Sequence, residues 1–211
     1  MLEGIQGHRL EAMIMMAIIT GMRKGEIIAL RWSDVDLERR LLRVLYTVDR
    51  IPGYGYVENE PKTQAGKRTI DLPEFFINML KLHRVKQEEQ RLKVGEAWEG
   101  RGLVFPDLKG GYLNPNQVLT MFKKILERAG LPHMHFHNLC HSAATILISM
   151  GINPKVIQEL LGHSDISIAP GIYGHLFPSM QQDVVDKWQG VFGSTEEDED
   201  EEGDEDDVEP L

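Results

Sequence analysis

The chain has 211 residues, 23 of them basic and 33 acidic, a formal net charge of −10, and one cysteine. That length suits one domain with a sizeable core plus a tail, and a lone cysteine excludes an internal disulfide, in keeping with a reducing compartment. The apolar run Met13 to Ile19 is far shorter than the roughly 20 residues of a membrane-spanning helix, and Met1 to Gly7 lacks the basic stretch of a secretory leader, so the expectation is a cytoplasmic protein with no membrane partner.

The charge is unevenly spread. Twelve acidic residues and no basic ones lie between Glu196 and Glu209, which leaves 21 acidic against 23 basic residues elsewhere. The body is therefore faintly basic, which permits a nucleic-acid partner without demanding one. Residues 194–211 cannot bury apolar surface and repel themselves, so they read as a disordered acidic tail after a domain spanning 1–193. A functional alternative for the tail is a strip that mimics DNA and competes for the basic face.

In chain order, His8 to Thr20 is predicted to be a helix closed by Gly21, and Lys24 to Leu30 a second one, which puts Arg23 at the turn between them. Trp32-Ser33-Asp34 reads as a turn and Leu41 to Val48 as a strand. A glycine-rich loop, Pro52-Gly53-Tyr54-Gly55-Tyr56, leads to Val57 and on to Pro61-Lys62-Thr63-Gln64-Ala65-Gly66-Lys67. Arg68 to Leu72 then alternates like a strand and stops at Pro73. These segments predict one antiparallel three-stranded sheet with Lys62 near a hairpin.

Beyond it the chain reads as helical: Glu74 to Leu92, then Pro115 to Ala129 with Asn114 as N-cap, proline at the first helical position and Gly130 after the end. His137 to Met150, Pro154 to Leu161 and Met180 to Val191 follow. No internal repeat or heptad is present. The fold class is mainly α with a small antiparallel three-stranded sheet.

Five side chains supply the types needed to attack a phosphodiester. Such an attack requires a nucleophile, donors that hold phosphoryl oxygens as charge builds, and an acid for the leaving oxygen. Tyr173 is a nucleophile, and Arg23, with a planar fork that stays charged, suits a phosphate clamp. Lys62 suits the acid, because burial and a neighbouring arginine lower an amine's pKa. His137 and His163 complete the set. His141 and His175 read as neighbours that pack or orient the site.

The runs Thr20-Gly21-Met22-Arg23-Lys24-Gly25-Glu26, His137-Asn138-Leu139-Cys140-His141 and Leu160-Leu161-Gly162-His163-Ser164-Asp165, with Tyr173 ten residues after His163, together resemble the boxes of the tyrosine recombinase (phage integrase) family, from about Gly7 to Met180. The resemblance implies a site-specific DNA recombinase catalytic domain that cuts one strand, stores the bond as a 3′-phosphotyrosine on Tyr173, and passes it to a 5′-hydroxyl. It implies double-stranded DNA as partner, with no cofactor, metal or nucleotide. Arg23 and His163 would hold the phosphate, Glu26 would brace the site, and His137 would assist by hydrogen bonding or proton transfer. Lys62 would protonate the leaving 5′-oxygen, with Lys67 as its rival. The family works as homo-tetramers on DNA that exchange C-terminal segments, here Met180 to Phe192, with a monomer as the state expected alone. The family's preceding core-binding domain is expected to be absent.

The pattern breaks at Cys140, which stands where the family has the second clamp arginine. A thiol is mostly neutral, donates weakly and cannot fork onto two oxygens, so cleavage is expected to fall at least roughly 10²- to 10³-fold. Asn138 replaces the family's usual aspartate, and Pro170-Gly171 interrupts the segment before Tyr173. Two other readings stand beside this one. A DNA-binding or assembly module of the same fold would retain DNA without cleaving it. A metal-dependent hydrolase would use His133, His135, His137, Cys140 and His141.

Overall fold

A computed structural model of the protein describes residues 7–61, 66–153, 156–157 and 178–193. Its centre is α1 (Glu11–Thr20), in which every residue from Ala12 to Thr20 is buried. A helix that is apolar all round belongs inside a protein, and each Met or Ile so buried contributes about 1.5 to 3 kcal/mol. Helix α2 (Lys24–Ala29) follows after a three-residue turn, and a single 3₁₀ turn at Trp32–Asp34 leads into the strands.

Two small antiparallel sheets form among the described residues. Strands β1 (Val35–Asp36), β2 (Leu41–Val44) and β5 (Arg68–Asp71) make a three-stranded sheet in the order β1-β2-β5, with Leu42 opposite Ile70. Strands β3 (Thr47–Ile51) and β4 (Gly55–Asn59) pair only with each other, Val48 facing Glu58. The turn between them carries Gly53, and β4 opens on Gly55, at φ of 81° and 85°, a conformation that L side chains rarely adopt.

The fold class agrees with the expectation, and the strand inventory corrects it. The run expected as one strand from Leu41 to Val48 breaks after Val44 and resumes at Thr47, because its two parts bond to different partners. The Val57 strand belongs to the separate hairpin, and the third strand of the larger sheet is the unforeseen pair Val35–Asp36. Consequently β4 and β5, the strands before and after Lys62 in the chain, belong to different sheets.

The hairpin β3–β4 is tied to the body through Glu58. Its Oε2 accepts from Arg31 Nη2 at 2.7 Å and from the Tyr112 hydroxyl at 2.5 Å. Further helices among the described residues are α3 (Glu74–Val94), α4 (Pro115–Arg128), α5 (Asn138–Ser149) and α6 (Pro178–Phe192). At α4 the expected cap forms: Asn114 Oδ1 accepts from the Asn116 N–H at 3.0 Å. Helix α5 packs on α1, and α6 lies against α3 and β5 with Trp188 buried.

Candidate active site

The turn that presents Arg23 is built from the residues around it. Gly21 closes α1 in the left-handed region at φ 60°, its N–H reaching the Ala17 carbonyl at 3.0 Å. Thr20 is buried; its Oγ1 donates to the Met16 carbonyl at 2.5 Å and accepts from the Met22 N–H at 3.2 Å. The hydroxyl thus bonds back to the preceding helical turn and at the same time gives the Met22 N–H, just past the helix end, an acceptor. Arg23 follows as the extended N-cap of α2, and Glu26, three residues on, accepts its backbone N–H on Oε2 at 3.0 Å. This is one half of a capping box; an arginine side chain has no acceptor with which to make the other.

Glu26 is also the electrostatic centre. Its side chain is 3% exposed, and two guanidinium groups meet it: Arg23 Nη1 at 3.2 Å from Oε1, and Arg68 Nη2 at 3.0 Å from Oε2. Burying a carboxylate costs several kcal/mol unless it is paired and hydrogen-bonded, and here it is both. Arg68 is 7% exposed, whereas Arg23 is 43% exposed. Arg68 Nη1 also donates to the Gly66 carbonyl at 3.2 Å. Next to Arg23, burial pushes the Lys24 amine below its ordinary pKa, with Asp49 opposing.

Of the other expected site residues, His137 is exposed and stands as the N-cap of α5, the helix that packs on α1. Cys140 lies in the first turn of α5, though its side chain falls outside what is described. Lys67, the rival acid, is exposed and paired with Glu60 at 2.7 Å. Lys62, His163, Tyr173 and His175 lie outside the described residues. The described structure therefore brings Arg23 and Glu26 into direct contact.

As for metal, the rings of His133 and His135 meet edge to face at 5.6 Å. Among the described residues no group of three His, Cys, Asp or Glu side chains could hold an ion. Also among them, no helix is long and apolar enough to cross a membrane.

Arg68 was not among the residues singled out from sequence, although a signal for it existed. Strand residues two apart share a face, and Arg68 stands two before Ile70, which is buried. A guanidinium on the inward face of a strand calls for a buried partner.

Comparison with known proteins identifies the family and the fold. The family model described as the phage integrase family matches residues 2–180. A tyrosine recombinase XerC-like protein of Caldanaerobacter subterraneus subsp. tengcongensis is 37% identical over 201 residues, covering 90% of this chain and 51% of that one. Among solved structures, the Tn1549 transposon integrase in complex with circular intermediate DNA superposes with a TM-score of 0.67 at 25% identity, covering 89% of this chain and 63% of that one. The XerH site-specific recombinase bound to its difH substrate in a pre-cleavage complex gives 0.55 at 25% identity, over 78% of this chain and 44% of that one. The chain spans about half the length of the curated relatives it matches. With the Arg23–Glu26 turn in place and the family model covering most of its length, the chain belongs to the phage integrase family of tyrosine recombinases.

Proposed function

We propose that the chain acts on double-stranded DNA as the catalytic domain of a site-specific recombinase, with Tyr173 attacking the scissile phosphate to give a 3′-phosphotyrosine. The observation that carries this reading is the Arg23 turn: a half-exposed guanidinium held at its root by a buried carboxylate, in a chain of this family. Such a group is preorganised to receive a phosphoryl oxygen, which is how a clamp stabilises developing charge. In this scheme Arg23 and His163 hold the phosphate, and His137 assists from the start of α5. Lys62 protonates the leaving 5′-oxygen; the pairing of Lys67 with Glu60 favours Lys62 over its rival.

Cys140 takes the place of the second clamp arginine, so strand cleavage is impaired while DNA binding persists. The test is the covalent protein–DNA adduct on a nicked substrate. Cys140→Arg is expected to raise adduct yield at least about 100-fold over the parent, and adding Tyr173→Phe is expected to abolish it. An unchanged yield in Cys140→Arg removes Cys140 as the limiting defect. Retention of DNA with no adduct in either protein favours a binding or assembly module, the reading that Cys140 itself recommends.

The domain assignment is residues 1–193 as the catalytic unit and 194–211 as an acidic tail. Assembly as a homo-tetramer on DNA, with the segment Met180 to Phe192 exchanged between neighbours, follows from the same reading. In the described structure that helix, α6, is seated on its own chain.

A further inference from the structure

We infer that Arg68 is a positioning residue that neutralises Glu26, and so leaves the Arg23 guanidinium available to a phosphoryl group. The inference deepens the phosphate-clamp reading of Arg23 and rests on it. Glu26 is one carboxylate meeting two cations, and the two are not equivalent. Arg68 reaches both oxygens, Nη2 to Oε2 at 3.0 Å and Nη1 to Oε1 at 3.5 Å. Arg23, among the described residues, brings its guanidinium to Oε1 alone, through Nη1 at 3.2 Å. The Glu26–Arg68 pair is almost wholly buried, whereas Arg23 is 43% exposed. Screening by solvent is weaker for the buried pair, so the stronger share of the Coulomb interaction belongs to Arg68.

Charge balance then sets the role. One carboxylate and two guanidinium groups leave the trio with a net charge of +1, and the exposed member of the trio is Arg23. If Arg23 were Glu26's only cation, the carboxylate and an incoming phosphoryl group would compete for the same donors. An arginine side chain carries five N–H donors, and with Glu26 satisfied from behind only one nitrogen of the Arg23 guanidinium is engaged by it. Arg68 is itself held in place through the Gly66 carbonyl at 3.2 Å.

The test uses the full chain labelled with ¹⁵N-arginine and inorganic pyrophosphate as the probe. The Arg23 side-chain Nε resonance is assigned by its loss in Arg23→Lys, and its shift is followed through the titration. The parent is expected to saturate, and Arg68→Met to bind about tenfold more weakly, the scale of one charged hydrogen bond. The double variant Glu26→Gln/Arg68→Met removes the competing carboxylate and is expected to return to within about threefold of the parent. A purely structural role for Arg68 would not be rescued by this second change. Parental affinity in Arg68→Met, or a double variant as weak as the single one, overturns the inference. A parent whose Arg23 resonance does not move ends the clamp reading and the inference with it. Should Arg68→Met not fold, Arg68→Lys, which keeps the charge, and the double variant, which carries neither charge, are both expected to bind like the parent. Loss of binding in either overturns the proposal.

Discussion

Gly25 sits on the first turn of α2, where a Cβ would lie 2.6 Å from Thr47 Oγ1 and 3.0 Å from the Val48 carbonyl. The threonine side chain can rotate aside, but the carbonyl belongs to a hydrogen-bonded strand and cannot. Gly25→Ala is therefore expected to push α2 away from β3 and to cost about 1 to 3 kcal/mol, the usual price of overpacking, measured as a lower midpoint in urea. Because α2 carries Glu26, the same change should also disturb Arg23. At this scale the sequence named Arg23 and Glu26 from the wording of the box, but it could not say why glycine stands between them: the reason is a strand that arrives more than twenty residues later. Arg68 escaped for a similar reason. Its partner is 42 residues upstream, and only folding brings the two together.

At the scale of elements, α3 packs a partly buried titratable group against the body. His83 Nε2–H donates to the Val104 carbonyl at 2.8 Å, and its ring contacts those of Trp32 and Phe105. Burial pushes its pKa below the ordinary 6.5; the Val104 carbonyl opposes this and Lys86 adds to it. The folded pKa is depressed, so on acidification the unfolded chain takes up the proton first. Stability is therefore expected to fall as pH drops below about 6.5, and to do so less steeply in His83→Gln, as read from denaturation midpoints between pH 7 and 5.5. Helix α6 supplies a second element-level prediction. Trp188 is buried and stacked on Phe192 at 5.4 Å, Phe192 meets Phe75, and Gln189 Oε1 accepts from the Phe75 N–H at 3.3 Å. Trp188→Ala should cost about 3 to 5 kcal/mol in the same denaturation measurement, through the cavity left between α6 and the body. The helices were legible because each is marked locally, α1 by an unbroken apolar run that Gly21 stops and α4 by an apolar stripe with Asn114 as its cap. The strands were less so, since a run such as Leu41 to Val48 does not reveal where it changes partner.

For the molecule as a whole, the acidic tail and the faintly basic body make opposite demands on a DNA partner. If residues 194–211 compete for the basic face, truncation after Gly193 should raise DNA affinity at low salt. The gain should shrink as salt is raised, because the competition is electrostatic. Binding isotherms at two ionic strengths check this: an affinity unchanged at both would leave the tail as a solubilising extension.

Local chemistry was enough to determine the helices among the described residues, the turn that carries Arg23, the uneven spread of charge along the chain, and the likeness of the boxes to one family. Each of these depends on residues within a few positions of one another, where periodicity, capping and charge act directly. Tertiary structure alone decided that the strands divide into two sheets, that Gly25 lies against Val48, and that a buried Arg68 shares the Glu26 carboxylate with Arg23. Those outcomes depend on which distant segments meet, and a buried charge can choose its partner only once the chain around it has closed.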